Sequence, residues 1–123
     1  MRAAIYLRLS KEDKQESIEN QRALLRKYAN DHGFSVVKEY TDEAISGLTD
    51  TRPGFAKMME DARQGHFDVI LAKNQSRFSR NFLHIEQYLH RELPHLNIRF
   101  IGVTDGVDTG KINNIAVRRS GKK

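Results

Sequence analysis

Hydrophobic and polar residues alternate from the start of the chain. Ile5, Leu7 and Leu9 fall on one side and Tyr6, Arg8 and Ser10 on the other, which is the two-residue period of a strand. The period then lengthens. Between Ser17 and His32 the apolar residues Ile18, Leu25, Tyr28 and Ala29, with Leu24 alongside, recur at helical spacing; Asp13 or Ser17 offers a cap and Gly33 a stop. Residues 34–40 read as a second strand, and residues 41–51 as a long polar loop of the kind that carries function in compact domains. Thr51 as cap and Pro53 in the first turn open a second helix, with Phe55, Met58, Met59 and Ala62 facing inward and Gly65 beyond its end. Residues 67–73, with the apolar run Val69–Ala72 bounded by polar residues, have the pattern of a buried parallel strand. After the polar stretch 74–81 comes a helix carrying Phe82, Ile85 and Leu89, with Leu93 at its end and Pro94 as its stop. Residues 97–103 form a fourth strand, and everything from Thr104 onward reads as loop and tail.

Strands alternating with helices predict an α/β domain with a mainly parallel sheet and right-handed crossovers. Ligands in such sheets gather at the carboxyl ends of strands. Ser10 and residues 74–80 occupy two such ends, so they are neighbours if the first and third strands are adjacent.

Composition narrows the setting. At 123 residues the chain is one domain with room for a real core. It has no cysteine, which excludes disulfides and thiolate metal sites and points to a reducing, cytoplasmic location. No apolar run approaches the ~20 residues that span a bilayer, and no signal peptide precedes the first strand, so no membrane association is expected. The net charge of +5 is local: Lys111, Arg118, Arg119, Lys122 and Lys123 account for all of it, and the preceding residues are balanced. Clustering of arginine is therefore more informative than the overall charge.

Arg8 sits in an apolar strand. It is either an edge residue in solvent or, with Ser10, aimed at an anion beyond the strand end, because a buried guanidinium without a partner costs several kcal/mol. Arg77 and Arg80, three apart, emerge on one helix face and repel each other unless an anion lies between them. Arg52 stands where the next helix begins, an unfavourable place for a cation unless an anion is near. Gln21 shares the inward helix face and either lies at its edge or reaches a polar site. Four arginines converging on one hydroxyl favour a phosphate or phosphodiester. There is no phosphate-binding glycine loop of nucleotide enzymes, no paired acidic metal site and no metal-ligand spacing among the five histidines. No motif supplies Ser10 with an acyl-transfer triad.

Five stretches carry a resemblance: Tyr6-Leu-Arg-Leu-Ser10, Ser17-Ile-Glu-Asn-Gln21, Asp42-Glu-Ala-Ile-Ser-Gly47, Arg52-Pro-Gly-Phe55 and Ser76-Arg-Phe-Ser-Arg80. In this order they resemble the catalytic domain of serine site-specific recombinases, the resolvase and invertase family, most of all its large transposon and phage branch. The resemblance implies a resolvase-like three-layer α/β domain, with a central sheet of four or five strands flanked by helices. It implies that Ser10 attacks a DNA phosphodiester, leaving a 5′-phosphoserine link and a free 3′-hydroxyl. Arg8, Arg52, Arg77 and Arg80 would hold the phosphate, with Tyr6, Gln21 and Ser76 in support. No metal and no small-molecule cofactor is implied. The partners implied are double-stranded DNA and, in the full-length context, further copies of the protein as homodimer or homotetramer.

The chain departs from the family pattern in places. Ser76 stands where many small members have Asp, Ser79 replaces a common Gly, and Asn74-Gln75 replaces an acidic–apolar pair. The expected organisation is a catalytic domain over 1–108 and a basic flexible tail over 109–123, cut short before the long oligomerisation helix and the DNA-binding domains. That truncation raises a second reading, a non-catalytic module that docks with full-length recombinase or DNA. A receiver-like signalling domain fits the fold class but lacks the acidic cluster such domains use for magnesium.

Overall fold

The computed structural model describes residues 1–10, 17–45, 52–79 and 82–110, and within them all side chains except those of Ser10, Ala44, Ile45 and Phe82. Strand β1 (Arg2–Ser10) leads to helix α1 (Ile18–Asp31), then β2 (Ser35–Ile45), α2 (Pro53–Arg63), β3 (Val69–Ala72) and the single turn α3 (Gln75–Phe78). A second helical stretch follows, in which α4 (Phe82–His84) continues as π-wound turns (Ile85–Glu92) and finishes as α5 (Leu93–His95). Strands β4 (Arg99–Gly102) and β5 (Val107–Asp108) complete the order.

The sheet order is β2-β1-β3-β4-β5. The first four strands are parallel and β5 is antiparallel to β4. β1 is thus an inner strand, paired with β2 along its length and with β3 from Ala3↔Val69 to Ile5↔Leu71. The connection after β1 runs to one side of the sheet and the connection after β3 to the other, so the topological switch point lies at the carboxyl ends of β1 and β3. The edge-strand reading of Arg8 does not hold: the residue is 7% exposed.

Each face of the sheet buries its own core. Ala3, Ile5 and Leu7 of β1, with Val69, Leu71 and Ile101, pack beneath Ile18, Leu25 and Ala29 of α1. Ala4 and Tyr6 point the other way, with Ile70 and Phe100, into α2 and the π-wound helix. The alternation visible in the first strand therefore sorts residues between two cores. Ser17 caps α1, its hydroxyl accepting from the Asn20 amide at 3.0 Å, and Gly33 takes φ +75° where α1 turns into β2.

Three expectations are corrected. β2 continues through Thr41 to Ile45, into the stretch expected to be loop, because Thr41, Asp42, Glu43 and Ile45 have partners in β1, from Thr41↔Leu7 to Ile45↔Ser10, with a register shift at Ala44. Polar composition does not prevent a strand when the neighbour supplies the ladder. The helix expected from Phe82 is π-wound over most of its length. Ile85, Leu89 and Leu93 are all buried, as their spacing of four implies, but that spacing keeps residues near one face whether the turn closes at i−4 or at i−5. The segment after Thr104 also contains structure. Val107 and Asp108 form β5, and Thr109 is buried with its hydroxyl accepting from the Phe100 amide at 2.9 Å.

Candidate active site

The carboxyl end of β1 has no β3 partner beyond Ile5, and there α1 takes over. The Gln21 side chain accepts from the Arg8 amide at 3.3 Å and donates to the Arg8 carbonyl at 2.8 Å. Its amide therefore acts as a substitute strand for one residue, satisfying a buried donor and a buried acceptor together. Gln21 is 1% exposed, which excludes the helix-edge alternative.

The Arg8 guanidinium runs to α3. Its Nε donates to the Arg77 carbonyl at 3.0 Å and its Nη2 to the Ser76 carbonyl at 2.6 Å. Arg52 approaches the same turn from α2 and donates from Nη1 to the Phe78 carbonyl at 2.5 Å. Three consecutive carbonyls, 76 to 78, thus receive two guanidiniums from two separate elements. These are end-of-helix carbonyls, which a one-turn helix leaves without intrahelical donors and which carry its negative partial charge. They draw together two like charges that would otherwise repel.

The turn itself is held from below. The Asn74 side chain caps α3, its Oδ1 accepting from the Arg77 amide at 3.0 Å and from the Ser76 hydroxyl at 2.8 Å. The Gln75 amide donates to Asp105 at 2.8 Å, tying α3 to the loop after β4. Arg77 is buried within this assembly, whereas the Ser76 side chain is exposed.

Asp42 is the residue that sequence reasoning missed. It lies at the end of β2 opposite Arg8, is 2% exposed, and accepts three hydrogen bonds. Its Oδ2 takes the Tyr6 hydroxyl at 2.7 Å and the Phe55 amide at 2.9 Å, while Oδ1 takes the Gly54 amide at 2.8 Å. The last two are orphan donors of the α2 N-terminus, so a carboxylate from the sheet caps the helix. Arg52 occupies the N-cap position and its side chain makes no capping bond. The anion at this helix start is therefore Asp42, bound to the Gly54 and Phe55 amides. The signal was present in the sequence: the first turn of α2 has no acidic residue, and Asp42 opens the Asp-Glu-Ala-Ile-Ser-Gly stretch.

Tyr6 closes the group. Burial pushes its phenol well above the ordinary value; the Arg52 charge acts against this and the hydrogen bond to Asp42 adds to it. Tyr6 is thus a fixed neutral donor. Of the residues singled out in the sequence, Tyr6, Arg8, Gln21, Arg52, Ser76 and Arg77 meet at the ends of β1, β2 and β3. Ser10 ends β1, but its side chain lies outside the described residues, as does Arg80. Among the described residues no group of three or more His, Asp or Glu side chains is placed to hold a metal ion.

The fold is also found in known proteins. Residues 3–118 match the family model for the N-terminal domain of resolvase. The catalytic domain of TP901-1 integrase superposes with a TM-score of 0.75 at 30% identity, over 89% of this chain and 82% of that one. The catalytic domain of ISC1926 TnpA, an IS607-like serine recombinase, superposes with a TM-score of 0.69 at 30% identity, over 81% of this chain and 65% of that one. A resolvase family site-specific recombinase from Streptococcus pneumoniae shares the fold, with a TM-score of 0.72 at 23% identity over 98% of this chain and 92% of that one. The match over residues 3–118 and the fold shared at 30% identity show that the chain belongs to the serine recombinases, in their resolvase-like catalytic domain.

Proposed function

We propose that this domain cleaves and rejoins DNA through a covalent phosphoserine intermediate, with Ser10 as nucleophile. The Ser10 Oγ–phosphorus bond forms as the bond from phosphorus to the 3′-oxygen breaks. The serine hydroxyl loses its proton and the released 3′-oxygen gains one. The phosphodiester energy is retained in the 5′-phosphoserine, so a 3′-hydroxyl can reverse the step without a cofactor.

Arg8 and Arg52, with Arg77 and Arg80 from the same segment, bind the scissile phosphate and stabilise the charge that builds on its oxygens. Gln21 holds the Arg8 backbone, Tyr6 and Asp42 set the start of α2 that carries Arg52, and Ser76 shapes the turn. The observation that carries this reading is the meeting of the Arg8 and Arg52 guanidiniums on the carbonyls of one turn, two residues from Ser10 along β1. Cations fixed in advance require little reorganisation when charge develops, which is the condition for electrostatic catalysis. Double-stranded DNA is the substrate, and a homodimer or homotetramer is the assembly in which strands are exchanged.

Incubation with a nicked suicide duplex carrying the crossover site tests this. The chain should become attached to the 5′ end, and Ser10→Ala should give no adduct. An adduct of undiminished yield with Ser10→Ala would sink the nucleophile assignment.

A further inference from the structure

Phe55 reads from sequence as ordinary core, one of four inward residues of α2. Its surroundings are more specific than that. The Arg52 guanidinium carbon lies 4.0 Å from the centre of the Phe55 ring, over its face. Tyr6, Phe78 and Tyr88 surround the same ring, with centroids at 5.8, 5.1 and 5.3 Å and planes inclined by 70°, 72° and 77°. They come from three separate elements, β1, α3 and the π-wound helix. Phe55 is 7% exposed.

We propose that Phe55 is a positioning residue for Arg52, holding the guanidinium by the negative potential of its aromatic face and not by volume alone. This rests on the reading of Arg52 as a phosphate ligand. Two contacts at different angles fix a planar cation: Nη1 bonded to the Phe78 carbonyl sets its rotation in the plane, and the Phe55 face sets the plane itself. A guanidinium restrained in both ways presents its other N–H groups in one direction, ready for an oxyanion. The three perpendicular rings keep Phe55 from turning, and the Phe55 amide bonded to Asp42 anchors its backbone. Tyr88 in this role gives the π-wound helix a connection to the site, although it contributes no residue to the arginine cluster itself.

The discriminating experiment keeps the size of the ring and changes its charge distribution. Mono-, di- and trifluorinated phenylalanine at position 55 of the full chain progressively remove negative potential from the ring face. The rotation rate of the Arg52 guanidinium is measured by nitrogen-15 NMR, with the melting temperature followed in parallel. A stepwise rise reaching roughly three- to tenfold for the trifluoro ring, at unchanged melting temperature, is the expected result. A rate that stays constant across the series, or that rises only in step with loss of melting temperature, overturns the proposal. Phosphoserine formation on the nicked duplex separates the two assignments. A graded change in Arg52 rotation with no effect on adduct yield would leave Phe55 positioning Arg52 and remove Arg52 from the phosphate site.

Discussion

A single carboxylate does three tasks at this site. Asp42 accepts from the Tyr6 hydroxyl, the Gly54 amide and the Phe55 amide in a place where water does not reach. Each of these donors would be stranded without it, and a stranded buried donor costs about 1–3 kcal/mol. Asp42→Asn keeps one acceptor oxygen but turns an amide N–H₂ toward donors, so it should lower the unfolding free energy by about 2–4 kcal/mol. Tyr6→Phe leaves the two capping bonds in place and should cost about 1 kcal/mol. Urea unfolding of both variants checks this, and equal losses would mean that the cap contributes nothing. Gln21 shows the complementary case, a neutral side chain that completes a backbone ladder. Neither role can be read from residue type, because both depend on what the chain brings opposite.

At the scale of elements, the site is the meeting of β2 with the start of α2. The close approach requires Gly54. A Cβ there would lie 2.7 Å from the Thr41 carbonyl oxygen and 3.1 Å from both Asp42 carboxylate oxygens. That is the physical reason for glycine in Arg52-Pro-Gly-Phe55. Gly54→Ala must push α2 away from β2 and lengthen the capping bonds, at a cost of about 1–3 kcal/mol. Hydrogen exchange should show the loss at the amides of residues 54 and 55 first, while β1 and β3 keep their protection; uniform loss over the whole sheet would contradict a local effect. Four strands and the inward residues of α1 and α2 were legible from periodicity; β5, the α3 turn and the π-winding were not. The extension of β2 through Ile45 was not, since its polar residues gain strand structure only from the pairing with β1.

Across the whole molecule, two buried tyrosine–aspartate bonds tie β2 to its neighbours, one within the sheet and one to the helix layer. Tyr6 bonds Asp42 between β1 and β2, and Tyr40 bonds Asp61 at 2.6 Å between β2 and α2. Both phenols are pushed above their ordinary value of 10.0, chiefly by burial. A folded value above the unfolded one means that the contribution is complete below about pH 10 and declines as the pH rises past it. The unfolding free energy should therefore fall above about pH 10, and Tyr6→Phe combined with Tyr40→Phe should flatten that decline. Urea titrations on either side of that pH measure it; an unchanged slope in the double variant would show that other groups control alkaline unfolding.

The sequence by itself determined the class of fold, the two faces of β1, the inward stripes of the helices and the stretches that mark the family. These are local properties, written in a period of two or near four and in residues a few positions apart. Tertiary structure decided what Arg8 touches, which carboxylate caps α2, and what lies over the face of Phe55. The partners in those contacts are 69, 12 and 3 positions away for Arg8 with Arg77, Asp42 with Gly54, and Phe55 with Arg52. Even the shortest of these separations needed the fold, because Phe78 and Tyr88 arrive from other elements to hold the ring. Chain spacing says which residues share a face; only the packed sheet says which faces meet.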